Sequence, residues 1–364
     1  MPDIEEKKRT TIQECAETFR QTIKKHSEGG KKVAIFTHAY PDPDAIGSMM
    51  GVAWAVHRLM GIECDLFYDG EISHPQNKAI VNLLDPQLKK ARDEFIPGQY
   101  GCHILVDTIP NNAGHGGHQV DFQIVIDHHK DLPNGNFSGH LIHMKVGSCS
   151  SIVVKLIESL DANKFFEDDN DHDSKVATAL LAGIITDTEY LVSEDSTEYE
   201  FEAYQKVFPY RHAAHLKEII FFKRPRAWID AKSQAVANVD MDEEGYAIVG
   251  LGLIQETQRD LIADMADEMV QWVGVETAIA FGVVGGCRLQ GSVRSLNATT
   301  SVSEFCKRLG GPHGKGGGKH GKGAYQYSLG GASLDTDEED DVKKKLWELL
   351  KVKETKRIRR LVSK

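Results

Sequence analysis

The chain has 364 residues, enough for two domains that each bury a core, and its 41% hydrophobic and 27% charged residues are those of an ordinary globule. A formal charge of −11 argues against a protein that coats long nucleic acid, because such binding rests on Lys and Arg neutralising phosphates. The six cysteines (Cys15, Cys64, Cys102, Cys149, Cys287, Cys306) show no CxxC spacing, which speaks against a zinc ribbon or a disulfide framework. A charged N-terminus without an apolar signal core, and no apolar run of membrane-spanning length, point to the cytoplasm.

In chain order, Ile12, Cys15, Phe19 and Ile23 recur at helical spacing, predicting an amphipathic helix over 11–26 that Ser27-Glu28-Gly29-Gly30 ends. An apolar strand over 33–36 runs into the polar loop Thr37-His38-Ala39-Tyr40-Pro41-Asp42-Pro43-Asp44-Ala45-Ile46-Gly47-Ser48. A helix over 47–60 follows, its small residues suited to a close approach to the sheet. Strand 64–68, helix 76–84, strand 104–106 and strand 123–126 continue a β/α alternation that implies a doubly wound, mainly parallel sheet. Gly147-Ser148-Cys149-Ser150-Ser151 opens the apolar helix 152–160 and is a candidate N-cap and small-anion site. The acidic stretch 167–173 reads as a solvated loop with the first turn of the next helix, 175–186, which is apolar on most sides and ends at Asp187.

From 193 to 228 the pattern is helical and mixed in charge, broken at Pro209 and Pro225, and reads as a domain connection. A second α/β unit has strand 246–250, helix 259–270, strands 277–284 and 287–294, helix 302–309, a Gly-rich loop and strand 324–329. The tail turns from acidic to basic, as favours a helix dipole, and predicts a terminal helix, docked or projecting. The expected division is an N-terminal helix in 1–30, a first α/β domain in 31–192, a helical connection in 193–229, a second α/β domain in 230–331 and a charged helix in 332–364.

His38, Asp42 and Asp44 stand at the mouth of a βα unit, where open α/β sheets bind ligands. Three later apolar runs, 104–106, 124–126 and 183–186, read in the same way as strand ends, with Asp107, Asp127-His128-His129 and Asp187 after them. Any one of these residues is more often a cap or a core histidine; a chance agreement of the whole set is improbable. His38, Asp42, Asp44, Asp107, His128 and Asp187 supply two imidazoles and four carboxylates, a charge that balances two divalent cations. Such a mixed N/O set without thiolate suits Mn²⁺, Mg²⁺, Co²⁺ or Fe²⁺ rather than structural zinc. Two ions about 3.5–4 Å apart, sharing a hydroxide, suit in-line phosphoester hydrolysis.

These residues, as His38-x3-Asp42-x-Asp44, Asp107, Asp127-His128-His129 and Asp187, resemble the motifs of the DHH phosphoesterase superfamily. The resemblance extends over roughly residues 31–190 and, more loosely, over 230–331. There Arg294-Ser295 and Gly310-Gly311-Pro312-His313-Gly314-Lys315-Gly316-Gly317-Gly318 are similar to the substrate-binding strand and Gly-Gly-Gly-His loop of the DHH-associated C-terminal domain. The resemblance implies an α/β catalytic domain, a smaller α/β C-terminal domain and an active site in the cleft between them. It assigns one ion to His38, Asp42 and Asp107 and the other to Asp44, Asp107, His128 and Asp187, with Asp107 bridging. Asp127 would orient the adjacent imidazoles and His129 would contact the phosphate or assist the leaving oxygen. Implied substrate contacts are Arg294, Ser295, Gly311, His313, Lys315, Gly316 and Gly317. Pro312 departs from the family loop by removing one amide donor, and His320, after Gly316-Gly317-Gly318-Lys319, is a second candidate for the loop histidine behind His313. Ser48 and Thr188 are placed for either a phosphate contact or a cap.

Between Phe305 and Ala324 stand Lys307, Arg308, Lys315, Lys319 and Lys322 with two histidines and no acid. A compact basic patch suits one end of a short substrate, whereas a processive single-strand nuclease needs a longer basic groove with stacking aromatics. The expected function, similar to that of nanoRNases, is Mn²⁺-dependent hydrolysis of short oligonucleotides or linear dinucleotides such as pGpG or pApA to mononucleotides. A cyclic-dinucleotide phosphodiesterase or 3′,5′-bisphosphate nucleotidase is the alternative. An inorganic pyrophosphatase or exopolyphosphatase ranks lower because of the Gly-Gly-x-His loop, and a non-catalytic nucleotide-binding protein because all six ligand positions are intact. Neither long nucleic acid nor membrane is an expected partner, a homodimer stays open, and no sensory domain is expected ahead of the catalytic one.

Overall fold

In the computed structural model, which describes residues 11–130, 137–161, 165–167, 169–297, 301–319, 321–332 and 339–362, the apolar runs become two six-stranded sheets. Each belongs to its own unit, Met1–Lys223 and Arg224–Lys364. In the first unit, α1 (Ile12–His26) starts at a capping box in which the Thr11 and Glu14 side chains satisfy each other's amides. Then come β1 (Lys32–Ala39), α2 (Pro43–Met60), β2 (Cys64–Asp69), α3 (Pro75–Leu84), β3 (Leu88–Lys90), α4 (Ala91–Glu94), β4 (Tyr100–Val106), β5 (Ile124–Asp127) and β6 (His140–His143). They are followed by α5 (Cys149–Leu160), α6 (Asp171–Asp187), α7 (Glu198–Val207) and α8 (Ala213–Ile220).

Every pairing in this sheet is parallel, in the order β3-β2-β1-β4-β5-β6. That is the doubly wound order, and the winding reverses between β1 and β4, where the C-terminal strand ends leave a crevice. One face packs under α1, α2, α5 and α6 through Ile35, Ile46, Trp54, Ile104, Ile126 and Val153. The other is covered by the short α4 and a cluster of Phe36, Phe67, Phe95, Tyr100 and Phe122. β3 and β6 escaped the sequence reading because three or four residues carry too little periodicity.

Three readings change. Residues 183–186 are the last turn of α6, so Asp187 stands at a helix C-terminus rather than a strand end. Asp173, within the stretch read as solvated, is buried and accepts from Trp54 Nε1 at 2.6 Å and the Glu167 amide at 2.9 Å. The two glycines of α2 face other helices and not the sheet. A Cβ on Gly47 would lie 2.6 Å from the Ala179 carbonyl, and one on Gly51 2.7 Å from Val153.

The helical stretch 193–229 is shared out, with α7 and α8 packed against α5 and α6 in the first unit. The second unit begins with α9 (Arg226–Val236) and continues with β7 (Asp240–Met241), β8 (Tyr246–Ile254), α10 (Leu261–Met269), β9 (Thr277–Val284) and β10 (Arg288–Ser295). It ends with α11 (Val302–Gly310), β11 (Lys315–Lys319), β12 (Lys322–Ser328) and α12 (Asp340–Val362). Its sheet runs β11-β12-β10-β9-β8-β7 and is parallel only between β8 and β9. Trp228, Met265 and Ala278 make one core; Phe281, Val293, Cys306 and Ile358 make the other. α12 is docked: its buried Glu354 accepts from the Tyr325 hydroxyl at 2.9 Å, the Tyr327 hydroxyl at 2.8 Å and Arg357 at 2.7 Å.

The Gly-rich stretch expected as a loop is largely strand β11. A Cβ on Gly316 would overlap the Cys306 carbonyl, and one on Gly323 would lie 2.6 Å from Val302 and 2.7 Å from Cys306 Sγ. These glycines let α11 press onto the sheet edge. No helix among the described residues is long and apolar enough to cross a membrane.

Candidate metal centre

Three parallel strands end side by side at the crevice, and each contributes. A register shift between Phe36 and Ala39 takes Thr37 and His38 out of the ladder with β2, which resumes at Ala39–Asp69, while Thr37 Oγ1 donates to the Val106 carbonyl at 3.0 Å. His38, freed in this way, points Nε2 at Asp107 Oδ2, 3.6 Å away, and at Asp42 Oδ2, 4.0 Å away. Asp42 is the N-cap of α2, its Oδ1 accepting from the Ala45 amide at 3.0 Å, with Pro43 in the first helical turn.

Asp107 follows β4 in a left-handed conformation, φ 56°, and is buried. Its Oδ1 faces His128 Nε2 at 3.4 Å, and the same nitrogen is 3.3 Å from Asp187 Oδ2. Asp127, wholly buried, spends Oδ1 on the amides of His128 (2.9 Å) and His129 (3.3 Å) and on His129 Nδ1 (2.8 Å). The ring of His128 is held instead by the Val146 carbonyl, 3.0 Å from Nδ1.

Asp44 is buried in the first turn of α2, with both oxygens bonded. Oδ2 accepts from the Cys149 amide at 2.7 Å and Oδ1 from the Ser150 amide at 2.8 Å. The anion at the N-terminus of α5 is therefore this chain's own carboxylate. Ser148 caps that helix through the Ser151 amide. Ser48 is buried beside Ser150, and Thr188 caps α6, donating to the Ile184 carbonyl and accepting from the Leu191 amide at 3.0 Å.

Ligand atoms gather in three groups, each within 4.8 Å: His38, Asp42 and Asp107; Asp44, His128 and Asp187; Asp107, His128 and His129. Each of His38 and His128 meets a backbone carbonyl with Nδ1, which fixes the N–H there and leaves Nε2 facing carboxylate oxygens. Such close nitrogen–oxygen pairs share a proton when no metal is bound and can exchange it for a metal ion. His128 Nε2 and Asp107 Oδ1 are both buried without a hydrogen bond, as ligand atoms awaiting a metal would be. Without a metal, burial opposes the charge on His38, but Asp107 and Asp42 push its pKa up to about 9. Burial opposes that on His128 too, and Asp107, Asp187 and Asp44 raise it to about 10. Burial and the charges of Asp107 and Asp187 drive Asp44 well up, and burial and Asp107 raise Asp42; divalent cations would relieve this crowding. Asp107 itself, for all its burial, is lowered by His128 and His38. The donor set fits hard or borderline divalent ions.

The candidate substrate residues are in the second unit and carry other bonds. Arg294 meets Asp267 twice, at 2.5 and 3.0 Å, and donates to Ser292 Oγ at 2.8 Å. Ser295 is buried, 2.8 Å from Thr277 Oγ1. Gly311 follows α11 at φ 68°, His313 is exposed, and Lys315, Gly316 and Gly317 lie in β11. His320 lies outside the described residues. Sequence reasoning missed the Val146 carbonyl, which no side-chain pattern announces, and Asn77, whose Nδ2 fastens the Pro41 carbonyl at 2.9 Å. It also missed Glu200, although Thr197-x-x-Glu200 is a readable capping-box signature.

Residues 32–184 match the family model described as the DHH family, N-terminal domain. The chain is 27% identical over 340 residues to the uncharacterized protein MJ1633 of Methanocaldococcus jannaschii, covering 91% of this chain and 66% of that one. It is 23% identical over 318 residues to the cyclic-di-AMP phosphodiesterase PdeA of Listeria monocytogenes, and 25% over 324 residues to the cyclic-di-AMP phosphodiesterase GdpP of Geobacillus thermodenitrificans. Each match covers 84% of this chain and 46% of the relative, so the chain spans less than two thirds of these proteins' lengths. A crystal structure of an exopolyphosphatase-related protein from Bacteroides fragilis shares the fold, with a TM-score of 0.60, 14% identity and coverage of 94% and 97%.

Proposed function

We propose, from the match of residues 32–184 to the DHH family model, that the chain is a metal-dependent phosphoesterase cleaving short oligonucleotides or linear dinucleotides, such as pGpG or pApA, to mononucleotides. The observation that carries the reading is the convergence of His38, Asp42, Asp44, Asp107, His128 and Asp187, with both imidazole Nε2 atoms aimed at carboxylates. When bound, two divalent ions, Mn²⁺ foremost, supply an activated water and neutralise charge on the phosphoryl oxygens.

The chain's own residues supply positioning and a proton. Asp127 holds His129 by Nδ1, which orients the ring and leaves Nε2 to hand a proton to the departing oxygen. Asp44 and His128 are held by backbone groups, so their geometry is preset and costs little reorganisation. Arg294, His313, Lys315 and the β11 glycines are the proposed contacts to a substrate phosphate. For that, Arg294 exchanges Asp267 for the phosphate, an exchange between two bidentate acceptors.

A second reading, hydrolysis of cyclic di-AMP, is favoured by the two relatives that bear that activity in their names and align along 84% of the chain. The test is product analysis with Mn²⁺, offering pGpG, pApA, a five-nucleotide RNA, cyclic di-AMP, adenosine 3′,5′-bisphosphate and pyrophosphate in parallel. Mononucleotides from the linear dinucleotides support the first reading. Turnover of cyclic di-AMP alone favours the second, and phosphate from pyrophosphate alone overturns both.

A further inference from the structure

Glu200 is wholly buried near the start of α7, and its carboxylate is bonded on both sides. Oε2 accepts from the Thr197 amide and hydroxyl, each at 2.7 Å, which is an ordinary capping box. Oε1 does something a cap has no need of, reaching the Gly147 amide at 2.9 Å, 53 residues earlier in the chain. Gly147 sits amid the groups that hold one set of candidate ligands. The carbonyl just before it, Val146, fixes the His128 ring, and the amides just after it, Cys149 and Ser150, hold both oxygens of Asp44. A Cβ on Gly147 would lie 2.8 Å from Thr188 Cγ2, so the segment also abuts the residue after Asp187. Asp44, His128 and Asp187 are one of the three ligand groups, and all three meet this junction; His38 and Asp42 are held by β1 and the α2 cap.

We propose that Glu200 is a positioning residue for the Asp44–His128–Asp187 metal site, and for that site selectively. It touches neither metal nor substrate. Its bond to Gly147 fixes the 146–150 segment, which fixes where His128 Nε2 and the Asp44 oxygens point. Groups that orient ligands in this way typically govern metal affinity by about 10–100-fold. The inference rests on the metal-centre reading and concerns one of its two sites.

The test is calorimetric titration of the purified chain with Mn²⁺, alongside the Mn²⁺ electron paramagnetic resonance spectrum, for wild type, Glu200→Ala, Glu200→Gln and Thr197→Ala. In wild type two ions bind and give a spin-coupled spectrum. Glu200→Ala is expected to weaken one step by about 10–100-fold, leave the other unchanged and turn the spectrum into that of a single ion. Glu200→Gln can still accept from the Gly147 amide, but its NH2 then faces the Thr197 amide, so it is expected to recover the second step only in part. Thr197→Ala removes one bond to Oε2 and none to Oε1, and is expected to weaken that step less than Glu200→Ala does. If Glu200→Ala does not fold, Glu200→Asp, one methylene too short to reach Gly147, is expected to show the same selective loss. Two unchanged steps in a folded Glu200→Ala or Glu200→Asp overturn the proposal, as does an equal loss at both. No Mn²⁺ binding by wild type overturns the metal-centre reading and this one together.

Discussion

Asp107 combines roles that no other residue of the centre combines: it is buried, faces both imidazoles and sits at positive φ. Left-handed backbone costs a non-glycine residue roughly 1–2 kcal/mol, and Asn and Asp bear it best. Tyr40, between His38 and Asp42, and Glu189, Tyr190 and Leu191, just after Asp187, are also left-handed, so strain gathers in the loops that carry the ligands. Asp107→Asn keeps the backbone preference and removes the negative charge that faces His38 and His128. It should leave the far-ultraviolet circular dichroism unchanged while lowering Mn²⁺ affinity and turnover by about 100-fold or more, read by calorimetry and product analysis. Away from the centre, Asp65, despite partial burial, is lowered by Lys89 and Tyr100, which bond it at 2.7 and 2.8 Å. Because its folded pKa lies below its unfolded value, its contribution is present above about pH 4 and fades as pH falls through the folded pKa. Wild type should therefore exceed Asp65→Asn by no more than about 1 kcal/mol at neutral pH, with the gap closing in acid, as urea titrations at several pH values would show.

At the scale of elements, glycines separate packing from ligand binding. Gly316 of β11 is pressed against the Cys306 carbonyl, whereas Gly317 has open space where a Cβ would go. Gly316→Ala must push α11 off the sheet and is expected to cost about 1–3 kcal/mol, seen as a lower Tm. Gly317→Ala should leave Tm unchanged, and a raised KM in that variant would mark its amide as a substrate contact. Gly47→Ala should destabilise as Gly316→Ala does, since Ala179 lies 2.6 Å from the position of the new methyl. The helices were legible because their apolar positions recur over several turns, as in α1 and α10. β11 was not, because a strand of Lys and Gly has no apolar alternation to read.

For the whole molecule, chelation should abolish phosphodiester hydrolysis and added Mn²⁺ should restore it; hydrolysis that survives exhaustive chelation would remove the metal from the mechanism. Arg294→Ala should raise KM for pGpG about tenfold or more with little change in kcat, since a charge-assisted hydrogen bond is worth about 1.5–3 kcal/mol. An unchanged KM in both Arg294→Ala and His313→Ala would leave the second unit without its proposed role.

The sequence by itself singled out the acids and imidazoles that the fold gathers into the candidate centre, because side chains placed just beyond apolar runs are chemistry that residue type and spacing express directly. It also determined the α/β class and the two-unit layout, since hydrophobic periodicity follows the chain. What holds the centre was decided only by the tertiary structure: the Val146 carbonyl on His128, the α5 amides on Asp44 and the Glu200 carboxylate on Gly147. These bonds join residues 18, 105, 106 and 53 positions apart, and each of the four has a backbone carbonyl or amide as one partner. A backbone carbonyl or amide is the same in every residue, so its role appears only when folding puts a particular side chain in front of it.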